Sequence, residues 1–189
     1  IAGLSAGVSA SVQVTGPNSF QQTLTASTVL PNLTVGTYNF VINEVKRDSA
    51  TFAKTAGSPL QVQLIAGQTR AADLAYTCTL VTPPDANLDT LLRAFTGKDT
   101  YACADLAAIT RLTASNKGIQ NIEGLQYASG LTELFLDNNQ LTSLPENIFD
   151  NLTNLTSLVL FGNQLSSISG GIFDNLTALK GLSLGQTQL

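Results

Sequence analysis

Two short stretches of this 189-residue chain could hold a catalytic serine. Gly3–Gly7 (GLSAG) and Gly181–Gly185 (GLSLG) match G-x-S-x-G, the pattern in which a sharp strand-to-helix turn presents a nucleophilic serine. Such a serine takes its reactivity from a histidine base, and the chain contains no histidine. The second stretch also falls in a predicted β-strand, where it cannot form the turn. We therefore predict that the chain is not an enzyme and has no catalytic residues.

Metal and cofactor chemistry is excluded by the same kind of count. Without histidine there is no imidazole ligand, and the two cysteines, Cys78 and Cys103, do not form a C-x-x-C pair. The 13 acidic residues form neither a D-x-D-x-D-G calcium loop nor a recognisable glycosidase pair. We predict no metal site and no cofactor.

Net charge and hydropathy limit the classes of partner that this chain is expected to bind. Nine basic and 13 acidic residues give a net charge of -4, which argues against binding to nucleic acid or to an anionic membrane. No apolar run approaches the roughly 18 residues of a membrane-spanning helix, so we predict no membrane insertion. Charged residues make up only 12% of the chain, a composition common in secreted and surface proteins.

The first 80 residues have the alternation of apolar and polar side chains that predicts half-buried β-strands. It occurs in Val8–Val14, Phe20–Leu24, Tyr38–Ile42 and Leu60–Leu64, and we place a last strand over residues 69–77. Turn-forming glycines and prolines separate these runs at short intervals. Six or seven short strands in this length predict an all-β antiparallel sandwich.

One stretch of this half carries a family resemblance. Leu30–Tyr38 (LPNLTVGTY) is similar to the L-x-x-G-x-Y hairpin of bacterial carboxypeptidase-regulatory and transthyretin-like sandwich modules. In those modules the glycine permits the tight turn and the tyrosine enters the core. The resemblance implies an Ig-like or transthyretin-like β-sandwich over residues 1–82 that serves as a spacer or accessory to something larger.

A domain boundary and a helical segment follow the predicted sandwich. Pro83 and Pro84 remove two backbone donors and disfavour helix and central strand alike, as expected of a linker. Asp85 can cap a helix that ends at Gly97. A second short helix is expected around residues 104–108, so residues 83–108 form a linker and a short α-helical cap. The apolar residues of the first helix have the spacing i, i+3, i+4, i+7: Leu88, Leu91, Leu92 and Phe95.

The strongest pattern in the chain is an internal repeat. Residues 131–141 (LTELFLDNNQL) recur 24 positions later at 155–165 (LTSLVLFGNQL), and the IFDNL of 148–152 recurs at 172–176. This is L-x-x-L-x-L-x-x-N-x-L, the leucine-rich repeat. A degenerate copy precedes these two and a partial copy follows them. We assign residues 109–189 to four repeats: 109–130, 131–154, 155–178 and the partial 179–189.

The repeat pattern indicates a role for each residue type. The leucines face the core of each coil, and each coil buries them only against its neighbours. Asn139 and Asn163 are expected to form a structural ladder, because their side-chain amides can bond the backbone where the chain leaves its strand. Phe149 and Phe173 are expected to form a second, aromatic row on the opposite side of the coils.

The repeats carry a second family resemblance. The helical lead-in with 114–119 (ASNKGI) and 122–125 (IEGL) resembles the capped start of internalin-like bacterial surface proteins. Residues 144–150 (LPENIFD) are similar to extracellular 24-residue repeats, including those of variable lymphocyte receptors. These resemblances imply a right-handed solenoid with parallel strands on its concave face, in a secreted or cell-surface bacterial protein. Because Leu189 stops in mid-coil and the C-terminal cap is missing, we expect further repeats or a cap beyond it.

The predicted binding site lies on the concave face, where the outward strand positions of such repeats point. Phe135, Val159 and Phe161 are apolar there although nothing in the repeat requires it, and an apolar cluster with a polar rim is typical of a protein-binding site. The alternatives are unremarkable surface apolar residues or a face covered by a missing domain. The candidate site residues are Arg111, Thr113, Glu133, Phe135, Asp137, Val159, Phe161 and Ser183.

We therefore predict a mixed, two-domain chain that acts as a protein-binding or adhesion module, with a glycan as the second choice of partner. A purely structural stalk or assembly segment is one alternative. An accessory region of an enzyme whose catalytic domain lies outside this chain is another.

The two cysteines are predicted to form a disulfide. A bridge between Cys78 and Cys103 closes a loop of about 25 residues, which stabilises a fold by roughly 3.5 kcal/mol on the chain-entropy estimate. The alternative is two free thiols, and the extracellular setting favours the bridge.

Overall fold

The computed structural model describes residues 1–2, 4, 8–47, 49–54 and 60–185. Contacts within the chain divide it into two units, the first comprising Ile1–Arg47 with Thr51–Thr79 and the second Asp48–Ala50 with Leu80–Leu189. The Gly3–Gly7 serine motif lies, apart from Leu4, outside the described residues, and so does the end of the partial repeat after Gly185.

Short strands in two sheets make up the first unit. The strands are β1 (Val12–Gly16), β2 (Phe20–Leu24), β3 (Gly36–Ile42), β4 (Val45–Arg47), β5 (Ala50–Lys54), β6 (Leu60–Leu64) and β7 (Tyr76–Val81). A four-stranded antiparallel sheet has the order β2-β1-β3-β6, and a three-stranded sheet has the order β4-β5-β7. Val12 and Val14 of β1 are fully buried.

The strand predicted over residues 69–77 is misplaced. The structure has no strand between residues 68 and 74, and β7 begins only at Tyr76. Residues 69–73 (TRAAD) contribute only alanine as apolar side chains, whereas Tyr76–Val81 alternates with residues that favour strands. The two short strands β4 and β5 were not among the predicted runs, since three to five residues give too brief a pattern.

The tyrosine of the L-x-x-G-x-Y stretch is part of the core. Tyr38 is 3% exposed, and its hydroxyl donates to the Thr34 carbonyl at 2.9 Å. Its ring meets Phe20 edge-on, with 5.5 Å between ring centroids. A Cβ at Gly16 would collide with the Tyr38 ring, so glycine is required at that point of β1.

The second unit begins with the predicted helical cap. Helix α1 (Ala86–Thr96) starts at Asp85, whose Oδ1 accepts from the backbone N–H groups of Asn87 at 3.0 Å and Leu88 at 2.9 Å. Gly97 ends it in the left-handed conformation, at φ 68°. The other oxygen of Asp85 accepts from the N–H groups of Gln120 at 2.7 Å and Asn121 at 3.1 Å, so one carboxylate joins the helix to the first coil.

A buried tyrosine fixes the next segment of the cap. The Tyr101 hydroxyl donates to Asp89 Oδ1 at 2.7 Å, and Arg93 Nε donates to Asp89 Oδ2 at 2.7 Å. Burial, helped by the bond to Asp89, raises the pKa of Tyr101 far above its ordinary value. The bond to Asp89 also raises the pKa of Arg93.

Helix α2 (Cys103–Ala107) is held by Asp105. Its carboxylate accepts from Lys98 Nζ at 2.5 Å and from the Ala102 N–H at 2.9 Å. The Lys98 ammonium and then the Ala102 N–H lower the pKa of this carboxyl group. Neither cysteine of the chain is free: Cys78 and Cys103 are both disulfide-bonded.

The repeats form a parallel sheet with one strand per coil. Its strands are β8 (Arg111–Thr113), β9 (Glu133–Phe135), β10 (Ser157–Val159) and β11 (Gly181–Ser183), in the order β11-β10-β9-β8. Their register follows the sequence period, since β8 and β9 pair with an offset of 22 and each later pair with an offset of 24. The strand leucine is fully buried in the first three coils, at Leu112, Leu134 and Leu158, whereas Leu182 of the last coil is 42% exposed.

Two rows of side chains run behind this sheet. The Asn139 amide donates to the carbonyls of Ala114 at 2.7 Å and Leu136 at 2.9 Å, and its oxygen accepts from the N–H groups of Lys117 and Ile119. Asn163 repeats the arrangement one coil later. These bonds satisfy buried backbone groups where the chain turns out of its strand. On the other side of the coils, the rings of Phe149 and Phe173 stack with 5.8 Å between centroids.

Candidate binding face on the repeat sheet

Equivalent positions of the coils form rows on the outward face of the repeat sheet, because parallel strands in register place them side by side. On β8, β9 and β10 a buried leucine separates two outward residues, as Leu134 separates Glu133 from Phe135. We call this outward surface the repeat sheet face. Its first row is Arg111, Glu133, Ser157 and Gly181, its second is Thr113, Phe135, Val159 and Ser183, and its third is Ser115, Asp137, Phe161 and Gly185.

A charged pair and an aromatic ring meet at the start of the first two rows. Arg111 Nη1 lies 3.1 Å from Glu133 Oε2, and the Arg111 guanidinium carbon lies 5.1 Å from the centroid of the Phe135 ring. An arginine over an aromatic face is attracted by the electrons of the ring. More than half of the Arg111 side chain stays exposed, so the ion pair contributes little to stability. The guanidinium is nevertheless oriented on the surface.

The apolar part of the face is half-buried. Phe135 and Val159 are register partners on β9 and β10, and both retain some exposed surface. Phe161 lies two positions after Val159, in the row of Asp137, and is also partly exposed. A Cβ at Gly185 would come within 3.3 Å of the Phe161 ring, so glycine leaves that ring room. The three apolar residues therefore lie on two neighbouring coils.

A hydrogen-bonded carboxylate borders the apolar residues. Asp137 Oδ1 accepts from the Ser115 hydroxyl at 2.5 Å, and Asp137 Oδ2 accepts from the Asn138 amide at 3.1 Å. Asn138 and its counterparts Asn116 and Gly162 have positive φ, between 54° and 70°. The chain turns at the same point of each coil, so these bonds hold the carboxylate in one place.

Threonines border the face on the side where the strands begin. The Thr132 hydroxyl donates to the Thr110 carbonyl and the Thr156 hydroxyl donates to the Thr132 carbonyl, both at 2.9 Å. Lys180 occupies the next place, and its N–H donates to the Thr156 carbonyl. Phe135 and Val159 of the second row thus lie between these threonines and the third row, which holds Asp137 and Phe161.

The second serine motif and the acidic and cysteine residues are the other groups that the sequence analysis considered for chemistry. Ser183, the serine of the second G-x-S-x-G match, lies in strand β11 rather than on a strand-to-helix turn. No group of three or more acidic, cysteine or histidine residues that could hold a metal occurs among the described residues. No described helix is long and apolar enough to cross a membrane.

Part of the repeat region matches the model of a known protein family. The leucine-rich repeat family model matches residues 129–189. The match begins just before β9 and covers the coils that bear Phe135, Val159 and Phe161.

Solved structures from Listeria monocytogenes are similar to 55% of this chain. Internalin inlF is 31% identical with a TM-score of 0.49, and the functional domain of InlJ, which includes a cysteine ladder, is 29% identical with a TM-score of 0.49. Internalin C2 is 36% identical with a TM-score of 0.48. The match covers 31%, 22% and 47% of those chains respectively, so this chain spans less than half of each.

Six of the eight predicted residues lie in strands β8–β11, and the other two, Asp137 and Phe161, lie just after β9 and β10. The sequence reasoning missed the contact of Arg111 with Phe135 and the bond from Ser115 to Asp137. The 22-residue offset of the first repeat was a signal for the second of these, because it aligns Ser115 with Asp137. It aligns Arg111 with Glu133 and not with Phe135, so it gave no direct signal for the first.

Proposed function

We propose that this chain is a non-enzymatic adhesion or recognition module of a secreted or surface-displayed bacterial protein. The repeat sheet face binds another protein. The observation that carries the proposal is the partly exposed group Phe135, Val159 and Phe161, bordered by Arg111 and Asp137, which are themselves oriented by contacts on the face. Large apolar side chains inside a polar rim are the usual composition of a protein-binding hot spot.

The first unit has a separate role in this proposal. Its two sheets form a β-sandwich spacer, consistent with the buried Tyr38 of the L-x-x-G-x-Y stretch. The internalin similarity and the composition agree with an extracellular setting, and the disulfide-bonded state of Cys78 and Cys103 agrees with an oxidising compartment. A protein partner then meets the repeats rather than the spacer.

The test is binding of the full chain to a panel of extracellular proteins and glycans, measured by biolayer interferometry. We expect wild type to bind a protein and the Phe135→Ala, Phe161→Ala double variant to lose at least tenfold in affinity, since truncated hot-spot residues cost about 2 kcal/mol or more. Phe95→Ala is the matched control, because Phe95 is 44% exposed on α1 and not on the sheet. Circular dichroism verifies that all three proteins are folded.

The outcomes separate the proposal from its alternatives. Equal binding by wild type and the double variant would exclude the repeat sheet face as the site. Equal loss in the double variant and in Phe95→Ala would mean a general effect of aromatic truncation. No binding by wild type would favour a structural stalk, and binding to glycans alone would change the partner class.

A further inference from the structure

The first unit contains a cavity of about 740 Å³ that has no part in the repeat sheet face. Residues 26–33 and 68–72, which form neither helix nor strand, supply much of its lining. Its volume falls within the roughly 300–1,000 Å³ of small-molecule sites. Strands β2, β3 and β6 contribute apolar side chains to it: Leu24, Phe40, Val62 and Leu64.

The cavity is a region where the core of the first unit is left open. On β1, Val12 and Val14 are fully buried, whereas on β6 Val62 and Leu64 are only half-buried. Val29, which also lines the cavity, is 83% exposed. Protein cores are normally packed with few voids larger than a water molecule. An apolar cavity of this size therefore has room for an apolar ligand.

One charged side chain, that of Arg70, belongs to the cavity lining. Its Nη2 donates to Gln68 Oε1 at 2.7 Å, and it takes part in no ion pair within the described residues. A guanidinium whose partner is neutral keeps its full charge and its remaining N–H donors. Its planar fork matches the two oxygens of a carboxylate.

We propose that this cavity binds a free medium-chain fatty acid. The alkyl chain lies against Leu24, Phe40, Val62 and Leu64, and the carboxylate is bound by Arg70. The mostly apolar lining favours an apolar ligand body, and its cations, the Arg70 guanidinium and the Ile1 ammonium, favour a negative charge on the ligand. A linear aliphatic monocarboxylate has both properties. This site is independent of the protein-binding function proposed for the repeats.

Calorimetric titration of the full chain with octanoate, decanoate and neutral 1-decanol tests the proposal. Each methylene added to the ligand contributes about fourfold in affinity when buried, so decanoate, with two more methylenes, is expected to bind roughly fifteenfold more tightly than octanoate. Arg70→Gln is expected to weaken decanoate binding at least tenfold and to leave 1-decanol binding unchanged. Lys46→Gln is the matched control, because Lys46 is an exposed cation that does not line the cavity.

Several results would overturn the proposal. These are absence of decanoate binding by wild type, equal decanoate affinity in wild type and Arg70→Gln, or an equal loss in Lys46→Gln. Val62→Phe fills the cavity from within and is expected to weaken both decanoate and 1-decanol; unchanged affinity in the folded variant would place the ligand elsewhere. If Val62→Phe does not fold, Arg70→Gln still decides, since Arg70 is exposed.

Acyl chains are also present in lipid bilayers, so binding to a lipid surface is tested separately. Vesicles of phosphatidylglycerol and phosphatidylcholine are sedimented with the full chain, and we expect no more protein in the pellet than with phosphatidylcholine alone. Sedimentation with anionic vesicles, combined with no binding of free decanoate, would replace the fatty-acid site by a membrane contact.

Discussion

The two units of the chain bury their apolar residues in different ways. In the repeats, the inward leucines of neighbouring coils, Leu112, Leu134 and Leu158, are all fully buried. In the first unit, the apolar side of β6 stays half-buried beside a cavity of about 740 Å³. A repeated coil meets a copy of itself, so one choice of side chain fits every interface. Strands without a repeat must fit different neighbours, and small mismatches leave space.

The largest expected effect comes from an inward leucine of the repeats. Leu158→Ala is expected to lower the free energy of unfolding by about 3–5 kcal/mol, because a fully buried leucine leaves a cavity between two coils. Leu182→Ala is the matched control at the same place of the next coil, where the leucine is 42% exposed, and it is expected to cost less than half as much. Urea unfolding followed by circular dichroism measures both.

The same measurement on Val62→Ala extends the test to the first unit. Val62 is half-buried beside the cavity, so its truncation is expected to cost about 1 kcal/mol. A cost as large as that of Leu158→Ala would show that the β6 side of the first unit is packed as tightly as the coils, and the contrast between the two units would then fail.

After Leu158→Ala, the next largest loss of stability is expected at the buried asparagine ladder. Asn139→Leu is expected to cost about 3 kcal/mol, because it leaves the Lys117 and Ile119 N–H groups and two carbonyls without their partner inside the coil. Asn151→Leu, at an exposed asparagine with one long hydrogen bond, is expected to change stability by less than about 0.5 kcal/mol. Equal urea midpoints for the two variants would contradict a structural role for the ladder.

Sequence reasoning succeeded where the deciding interactions are local or periodic. Asp85 and Gly97 delimit α1 because their effects depend on residues within one turn. The 24-residue period gave the strand register and the position of Asn139, because each coil contacts only its neighbours. The eight candidate residues share a face for the same reason.

The parts that escaped prediction depend on residues distant in sequence. Nothing near Asp85 indicates that its second oxygen accepts from the N–H groups of Gln120 and Asn121. The cavity arises from how well loops and strands of the first unit fit together, and residues 69–73, predicted as strand, are part of its lining or next to it. Neither the fit of loops nor a carboxylate shared between distant segments produces a periodic pattern in the sequence.

Two glycines with the same backbone conformation test the role of close neighbours. Gly162 in the repeats has φ 70° and Gly67 in the first unit has φ 73°. A Cβ at Gly162 would collide with the Asn138 side chain, whereas a Cβ at Gly67 would have nothing within 4 Å. In both Gly→Ala variants the left-handed backbone is expected to lower the free energy of unfolding by about 1 kcal/mol. Gly162→Ala is expected to lower it further, because its Cβ also collides with Asn138. Thermal melts of equal midpoint would show that Asn138 simply moves aside.

The smallest effect is a dependence on pH in the helical cap, which has neither the period of the coils nor the open core of the first unit. Lys98 and the Ala102 N–H lower the folded-state pKa of Asp105 below its ordinary value of 3.8. The stability that this carboxylate contributes is therefore complete above about pH 4 and is lost as the pH falls through the folded-state pKa. Asp105→Asn is expected to flatten that part of the curve of unfolding midpoint against pH. Lys98→Met is expected to flatten it only partly, because the Ala102 N–H still favours the ionised form.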